Sequence, residues 1–178
     1  MLKKIIAIII IFISSLSAAF AFRIYVKPTL SYLSTSLNNN NPSMVLAPGI
    51  AAGLGQVFYK YFYVGVETYW IPNTIPVNSK SNTYKISYQY AASLLPGIAF
   101  DNTILGYLRL GMLKSRFPSF DTTQSASQMG IGLEYSLSPT WSVNGEYDYV
   151  RYRSNTTSLV GSATTDQFTI GVLYKFNL

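Results

Sequence analysis

The sequence predicts an all-β fold: an eight-stranded antiparallel up-and-down transmembrane β-barrel, preceded by a signal-peptide helix. Three observations support this fold class. Apolar residues recur at every second position in most of the chain. Charged residues make up only 11% of the sequence, against about 25% in ordinary soluble domains. Short turns alternate with long polar segments. A chain so poor in charge must bury its surface or present it to an apolar surrounding.

Residues 1–21 are predicted to be a secretory signal peptide. Lys3 and Lys4 form its positive start, and the apolar core that follows is shorter than the ~20 residues of a membrane-spanning helix. The small residues of Ala19–Ala21 suit a cleavage site. An uncleaved helical anchor is the alternative, because apolar character continues to Phe22. Removal of the two lysines with the leader lowers the formal charge from +6 to +4.

The mature domain, residues 22–178, is predicted to consist of strands with one apolar face each. Successive side chains of a strand point to opposite faces, so alternation places the apolar set on one side and the small or polar set on the other. The predicted strands are Phe22–Tyr32, Leu46–Phe58, Phe62–Trp70, Tyr84–Phe100, Ile104–Leu113, Met129–Tyr135, Trp141–Val150 and Phe168–Leu178.

The last predicted strand suits the seam of a closed barrel. Its apolar face runs from Phe168 to Leu178, while Gly171 and Lys175 lie on the other face. This pattern resembles the C-terminal signal that the barrel-assembly machinery of the outer membrane recognises, which usually ends in Phe. Taken alone, the strand is also compatible with a soluble sandwich or a lipocalin-like barrel.

The lengths of the connections favour the membrane barrel over the soluble alternatives. Outer-membrane barrels have short periplasmic turns and longer extracellular loops, and an even number of strands returns both termini to the periplasm. The short turns are predicted at Tyr59–Tyr61, Asp101–Thr103 and Ser138–Thr140, and the long loops at Leu33–Val45, Ile71–Thr83, Lys114–Ser127 and Arg151–Thr165.

Several segments carry a family resemblance. The segments Gly130–Tyr135, Ser138–Val143 and Glu146–Tyr149 resemble the sixth and seventh strands of OmpA/OmpX-like small outer-membrane barrels in the opacity/porin-like family. Leu95–Ile98 and Tyr107–Gly111 are similar to the fourth and fifth. The resemblance spans the mature domain. It implies the barrel architecture and allows a role in adhesion or serum resistance.

If the apolar face meets lipid, the other face fills the lumen, and an eight-stranded barrel is only wide enough for side chains. Charges of both signs are predicted to point inward at similar heights, where pairing offsets the cost of burial. These residues are Lys27, Glu67, Arg109, Glu134, Glu146 and Asp148. We expect Arg109 to reach at least one of the three glutamates. The predicted network is a salt-bridged plug; a gated path for small ions is the alternative.

Basic residues are predicted to gather at the extracellular end of the barrel. They are Lys80, Lys85, Lys114, Arg116, Arg151 and Arg153. Lys85 is also placed inward by the strand phase. The phosphates of lipopolysaccharide are the expected partners of this rim. An acidic host or surface ligand, bound by the same loops, is the other interpretation. Nothing indicates nucleic-acid binding, and a monomer is expected.

The composition argues against an enzyme and against a bound cofactor. The chain has no Cys and no His, which excludes thiolate metal sites and His-dependent nucleophiles. Glu146 and Asp148 share a face, but no substrate could reach them inside so narrow a barrel. The predicted protein is therefore an outer-membrane barrel with a structural or surface-interaction role. A small porin or gated channel for small solutes or ions is the alternative.

Overall fold

Ten β-strands make up the protein in a computed structural model, which describes residues 22–37, 42–72, 75–78, 83–101, 103–118, 122–152 and 163–176. The strands are β1 (Arg23–Leu37), β2 (Ser43–Phe58), β3 (Phe62–Ile71), β4 (Ile75–Asn78), β5 (Thr83–Ile86), β6 (Tyr88–Ala99), β7 (Ile104–Phe117), β8 (Thr122–Ser136), β9 (Trp141–Tyr152) and β10 (Ala163–Phe176). Eight of them close a barrel in the order β1-β10-β9-β8-β7-β6-β3-β2, and β4 pairs only with β5. The predicted eight-stranded antiparallel up-and-down barrel is confirmed. The predicted leader, residues 1–21, lies outside the described residues.

The barrel closes with a stagger that sets the tilt of its strands. One circuit of paired residues leads from Val26 through Ala52, Thr68, Ala92, Met112, Ser127, Arg151 and Thr164 to Ser36. The register thus advances from position 26 to position 36, a shear of ten residues. Rows of paired residues therefore climb around the wall, and eight strands at this shear leave an interior that side chains can fill.

Alternation along the strands separates a lipid-facing surface from the lumen. In β3, Phe62, Val64 and Val66 are exposed, whereas Tyr63 and Glu67 are buried. The same pattern holds in β9 and β10. Because the exposed set is apolar and the buried set is largely polar, the barrel is inverted relative to a soluble protein, as a membrane requires. None of the described residues forms a helix that is long and apolar enough to cross a membrane.

At the end opposite the short turns, the strands extend further than predicted. Residues 33–37 and 43–45 continue β1 and β2 where a loop was predicted. β7, β8 and β10 likewise extend into predicted loops, to Phe117 and from Thr122 and Ala163. The predicted ends were wrong because the hydrophobic criterion marks where apolar side chains stop. Backbone pairing continues beyond that point through Ser and Thr residues, and Thr favours extended backbone.

A single strand over Tyr84–Phe100 was also predicted wrongly. β5 ends at Ile86 and pairs with β4 outside the barrel sheet, and β6 begins at Tyr88. Ile86 was expected to face lipid, yet it is fully buried. The alternating pattern continues through Ser87 without a break, so periodicity alone could not show that the chain changes its pairing partner there.

Candidate functional site: the charged lumen and the extracellular rim

Four charged side chains meet at the centre of the lumen. Lys27 Nζ lies 2.8 Å from Glu67 Oε2 and 2.5 Å from Glu146 Oε1. Arg109 Nη2 lies 2.6 Å from Glu67 Oε1 and 2.5 Å from Glu146 Oε2. Each cation therefore contacts both glutamates, and the four groups close a ring across the lumen.

The ring joins strands on different sides of the barrel. Lys27 projects from β1, Glu67 from β3, Arg109 from β7 and Glu146 from β9. All four are at most 3% exposed. Removing charges from water is costly unless they are paired and hydrogen-bonded, and here every one of the four has at least two oppositely charged partners. The arrangement fills the lumen and ties its walls together.

Neutral side chains complete the hydrogen bonding of the glutamates. Tyr25 donates to Glu67 (2.8 Å) and Tyr107 to Glu146 (2.8 Å). Asn144 donates to both Tyr107 and Glu146, and Ser93 accepts from Arg109. These supporting residues were not predicted. The inward phase of each strand would have identified them, had neutral inward side chains been considered along with charged ones.

Asp148 joins this cluster less tightly. Its Oδ1 lies 3.5 Å from Arg109 Nε and accepts no hydrogen bond. The side chain is nevertheless almost fully buried. The cluster thus contains three carboxylates, Glu67, Glu146 and Asp148, and two cations. Asp148 is the carboxylate whose charge the cations compensate least.

Glu134 does not belong to the central layer in which it was predicted. It forms a separate ion pair with Lys175, at 2.6 Å. Both line a vestibule of ≈ 480 Å³ at the end of the barrel that carries the short turns, together with Arg23, Lys60 and Tyr63 among others. The height of Glu134 was misjudged because positions were counted along each strand. The shear of the barrel displaces residues at equal counts to different heights.

An apolar layer fills the lumen toward the other end. Leu33, Ile71, Ile86, Leu113 and Val150 are each at most 1% exposed and belong to one cluster. The hairpin of β4 and β5 contributes Ile86 and lies against β1, β2 and β7. This layer was not predicted. Leu33 and Ile71 lie just beyond the predicted strand ends, Ile86 was assigned to the lipid-facing set, and the lumen was expected to be filled by polar and charged side chains. Among the described residues the lumen is therefore occupied by side chains at two levels.

The described part of the rim faces outward. Lys114, Arg116 and Arg151 are exposed, and their phase on β7 and β9 is that of the lipid-facing side chains. Asp166 lies on the same outer surface, where it accepts a hydrogen bond from Tyr147 (2.6 Å). Lys80, Arg153 and the side chain of Lys85 lie outside the described residues. No group of three or more acidic, His or Cys side chains in the described part of the chain could hold a metal ion.

A closed barrel with an apolar exterior and a charged, filled lumen defines a small β-barrel protein of the outer membrane. The family described as "Outer membrane protein beta-barrel domain" matches residues 5–176, and the chain belongs to this family. The protein is accordingly located in the cell outer membrane. No curated protein sequence matches the chain significantly.

Solved structures of outer-membrane proteins are similar in fold. Ail, the attachment invasion locus protein of Yersinia pestis, solved with the heparin analogue sucrose octasulfate, has a TM-score of 0.58 at 13% identity; the match covers 88% of this chain and 99% of Ail. Neisserial surface protein A has a TM-score of 0.59 at 17% identity, covering 86% and 97%. OprG from Pseudomonas aeruginosa has a TM-score of 0.51 at 12% identity, covering 89% and 97%. At these identities the likeness concerns the fold alone.

Proposed function

We propose that this protein is a closed barrel with a structural and surface-interaction role in the outer membrane. The observation that carries the proposal is the ring in which Lys27 and Arg109 each bridge Glu67 and Glu146 across the lumen. A solute crossing the barrel would have to separate buried, mutually compensating charges, and breaking such contacts is strongly unfavourable. The proposal includes no catalytic activity, because these carboxylates are engaged by the two cations.

The rim is the second part of the proposal. Lys114, Arg116 and Arg151 lie outward at the extracellular end, where lipopolysaccharide presents phosphate groups. Lys80, Lys85 and Arg153 are assigned to the same rim from the sequence. We propose that these cations seat the barrel in the outer leaflet. A sulfated or phosphorylated surface ligand is a further candidate partner. The similar structure of Ail with a heparin analogue is compatible with such chemistry on this fold.

A small pore for ions or solutes is the second candidate, and the polar groups of the lumen favour it. Beyond the ring, Gln89, Gln124 and Gln128 are buried and each has a side-chain atom without a hydrogen-bond partner. Asp148 Oδ1 likewise has no hydrogen-bond partner. Such groups are suited to internal water, and water between the ring and the apolar layer would lower the cost of rearranging the charges.

Conductance in planar lipid bilayers distinguishes the two candidates. The wild type is expected to give small or no single-channel steps. Arg109→Ala removes one side of the ring and is expected to raise the conductance or to destabilise the barrel. Arg151→Ala, which changes an exposed side chain outside the lumen, is the matched control and should behave as wild type. Heat-dependent migration on gels, the usual sign of a folded barrel, identifies any variant that has not folded. Large, stable steps in the wild type would establish the pore instead.

A further inference from the structure

A groove crosses the lipid-facing wall of the barrel. It has a volume of ≈ 740 Å³ and is lined by residues of β1, β2, β3, β6, β7 and β8. A second depression of ≈ 560 Å³ adjoins it and shares Ala52, Thr68 and Ala92 with it. These three residues form a common floor.

The register explains why the wall is hollow there. Ala52 pairs with Thr68, and Thr68 pairs with Ala92, so three small outward side chains lie side by side. The hydroxyl of Thr68 donates to the carbonyl of Ala52 (3.4 Å), which leaves methyl groups as the surface of the floor. Large exposed side chains form a ridge on each side: Ile50, Trp70 and Tyr90 on one, and Leu54, Val66 and Leu94 on the other.

One end of the groove lies at a positive charge near the membrane surface. The ridge of Trp70 and Tyr90 continues directly to Lys114, which pairs with Tyr90 and lines the groove. Lys114 follows Ile104, the first residue of β7, by ten positions. At about 3.3 Å per residue and a strand tilt of about 40°, it lies about 25 Å above that end, the height of the apolar band of such barrels. The groove therefore descends diagonally from the extracellular interface into the hydrocarbon region.

We propose that this groove is a binding site for one acyl chain of lipopolysaccharide, with Lys114 contacting a phosphate of the lipid A headgroup. From Ala52 on β2 to Lys114 on β7 the groove crosses four strands, or about 14 Å at the usual strand spacing, which accommodates most of one chain. Inside a bilayer there is no hydrophobic gain from burial, so selectivity arises from close packing between the ridges and from the charge at the upper end. The inference rests on the proposed function through Lys114, which belongs to the proposed rim. The floor and the ridges of the groove consist of residues outside the rim, so this part of the inference does not depend on the rim.

The two tryptophans of the chain provide a direct test. Trp70 lies on a ridge of the groove, and Trp141 lies at the first position of β9, near the opposite membrane surface. Two single-tryptophan variants serve as reporters: Trp141→Phe retains Trp70 and is the Trp70 reporter, and Trp70→Phe retains Trp141. Both are placed in vesicles of brominated phosphatidylcholine, which quenches tryptophan fluorescence by contact. Increasing mole fractions of unbrominated lipid A are then added. A lipid that prefers the groove protects Trp70 at a mole fraction more than about fivefold lower than Trp141, because one cation near an anionic headgroup supplies about fivefold and close packing between the ridges adds to it.

Variants of the Trp70 reporter separate the groove from the rim. Ala92→Leu fills the floor and is expected to abolish the preference, while Gly145→Leu, at an outward position of β9 where an added Cβ meets nothing, is expected to leave it unchanged. Ala52→Leu replaces Ala92→Leu if that variant does not fold. Lys114→Gln is expected to reduce the preference about fivefold, and Lys60→Gln, at a turn on the opposite side of the membrane, to have no effect.

Three results would overturn the inference. Equal protection of Trp70 and Trp141 would mean that the groove has no preference for lipid A. A Trp70 that is unquenched before lipid A is added would indicate that a second copy of the chain covers the groove. If Arg116→Gln and Arg151→Gln weaken protection while Ala92→Leu does not, the proposed rim stands and the acyl-chain site is wrong.

Discussion

Individual charges of the lumen differ in how much the fold depends on them. Glu146 contacts Lys27 and Arg109 and also accepts from Tyr107. Asp148 is placed 3.5 Å from Arg109, with an oxygen that accepts no hydrogen bond. The two carboxylates lie two positions apart on the same face of β9, so a comparison between them controls for strand and depth.

Glu146→Gln is expected to destabilise the barrel by about 3–5 kcal/mol, because it leaves two buried cations with Glu67 as their remaining close partner. Asp148→Asn is expected to change stability by no more than about 1 kcal/mol, because it removes a charge that is poorly compensated and replaces it with an amide of equal size. Equilibrium unfolding by urea in phospholipid vesicles measures both. Equal losses for the two variants would contradict the central role of the ring.

The sequence allows the inward residues to be identified but not their pairing. Phase along each strand correctly predicts that the side chains of Lys27, Glu67 and Arg109 point inward. Which of them meet depends on the shear, and the sequence does not specify the shear. For that reason Glu134 was grouped with the centre, although it pairs with Lys175 near the mouth.

At the scale of elements, the turn between β6 and β7 depends on one carboxylate. Asp101 Oδ1 accepts hydrogen bonds from Thr103 N (2.7 Å), Thr103 Oγ1 (2.6 Å) and Ile104 N (2.7 Å). The hydrogen bonds from Thr103, followed by the one from Ile104, lower the pKa of Asp101 below its ordinary value of 3.8. The deprotonated form is therefore the one that the folded turn favours.

Because the pKa of Asp101 is lowered in the folded state, its contribution to stability is complete above about pH 4 and is lost as the pH falls through the folded-state pKa. Asp101→Asn keeps an acceptor oxygen but cannot titrate. We expect wild type to be the more stable of the two at neutral pH and to lose this advantage below pH 3.8. The urea unfolding midpoints of both proteins, measured at neutral pH and again below pH 3.8, test this. Asp101→Ala, which removes the acceptor, should be less stable than both proteins at either pH. A difference between wild type and Asp101→Asn that does not depend on pH would be evidence against the role of the carboxylate.

Elements were predicted best where the membrane imposes an apolar face. The short turns at Tyr59–Tyr61 and Ser138–Thr140 agree with the structure, in which β2 ends at Phe58, β3 begins at Phe62 and β9 begins at Trp141. Tyr59 and Lys60 adopt positive φ angles of 49° and 68°, as a tight hairpin turn requires. Beyond the apolar band the selection for hydrophobic residues is absent. The strand ends and the hairpin of β4 and β5 were therefore missed there.

For the whole molecule, the closed lumen that we propose would leave the exterior as the surface on which it can act. The ring and the apolar layer occupy the interior at two levels. The outer wall is apolar between the membrane surfaces, and the cations of the proposed rim lie at the end opposite the short turns. The location of these cations, rather than the total charge of +6, is what would direct the protein toward anionic partners.

Reversing the rim tests this at the level of the cell. Arg116→Glu, Arg151→Glu and Arg153→Glu are introduced together into a strain that lacks the chromosomal copy. Each cation near an anionic surface contributes about 1 kcal/mol, and its reversal converts attraction into repulsion. We therefore expect higher permeability to a hydrophobic dye, weaker contact with lipopolysaccharide, or lower binding to host cells. Arg23→Glu and Lys60→Glu, which reverse two cations lining the vestibule at the other end, control for most of the change in total charge. The rim has no role of this kind if the three reversed residues leave adhesion, outer-membrane integrity and lipopolysaccharide contact all unchanged, or if the vestibule variants alter them equally.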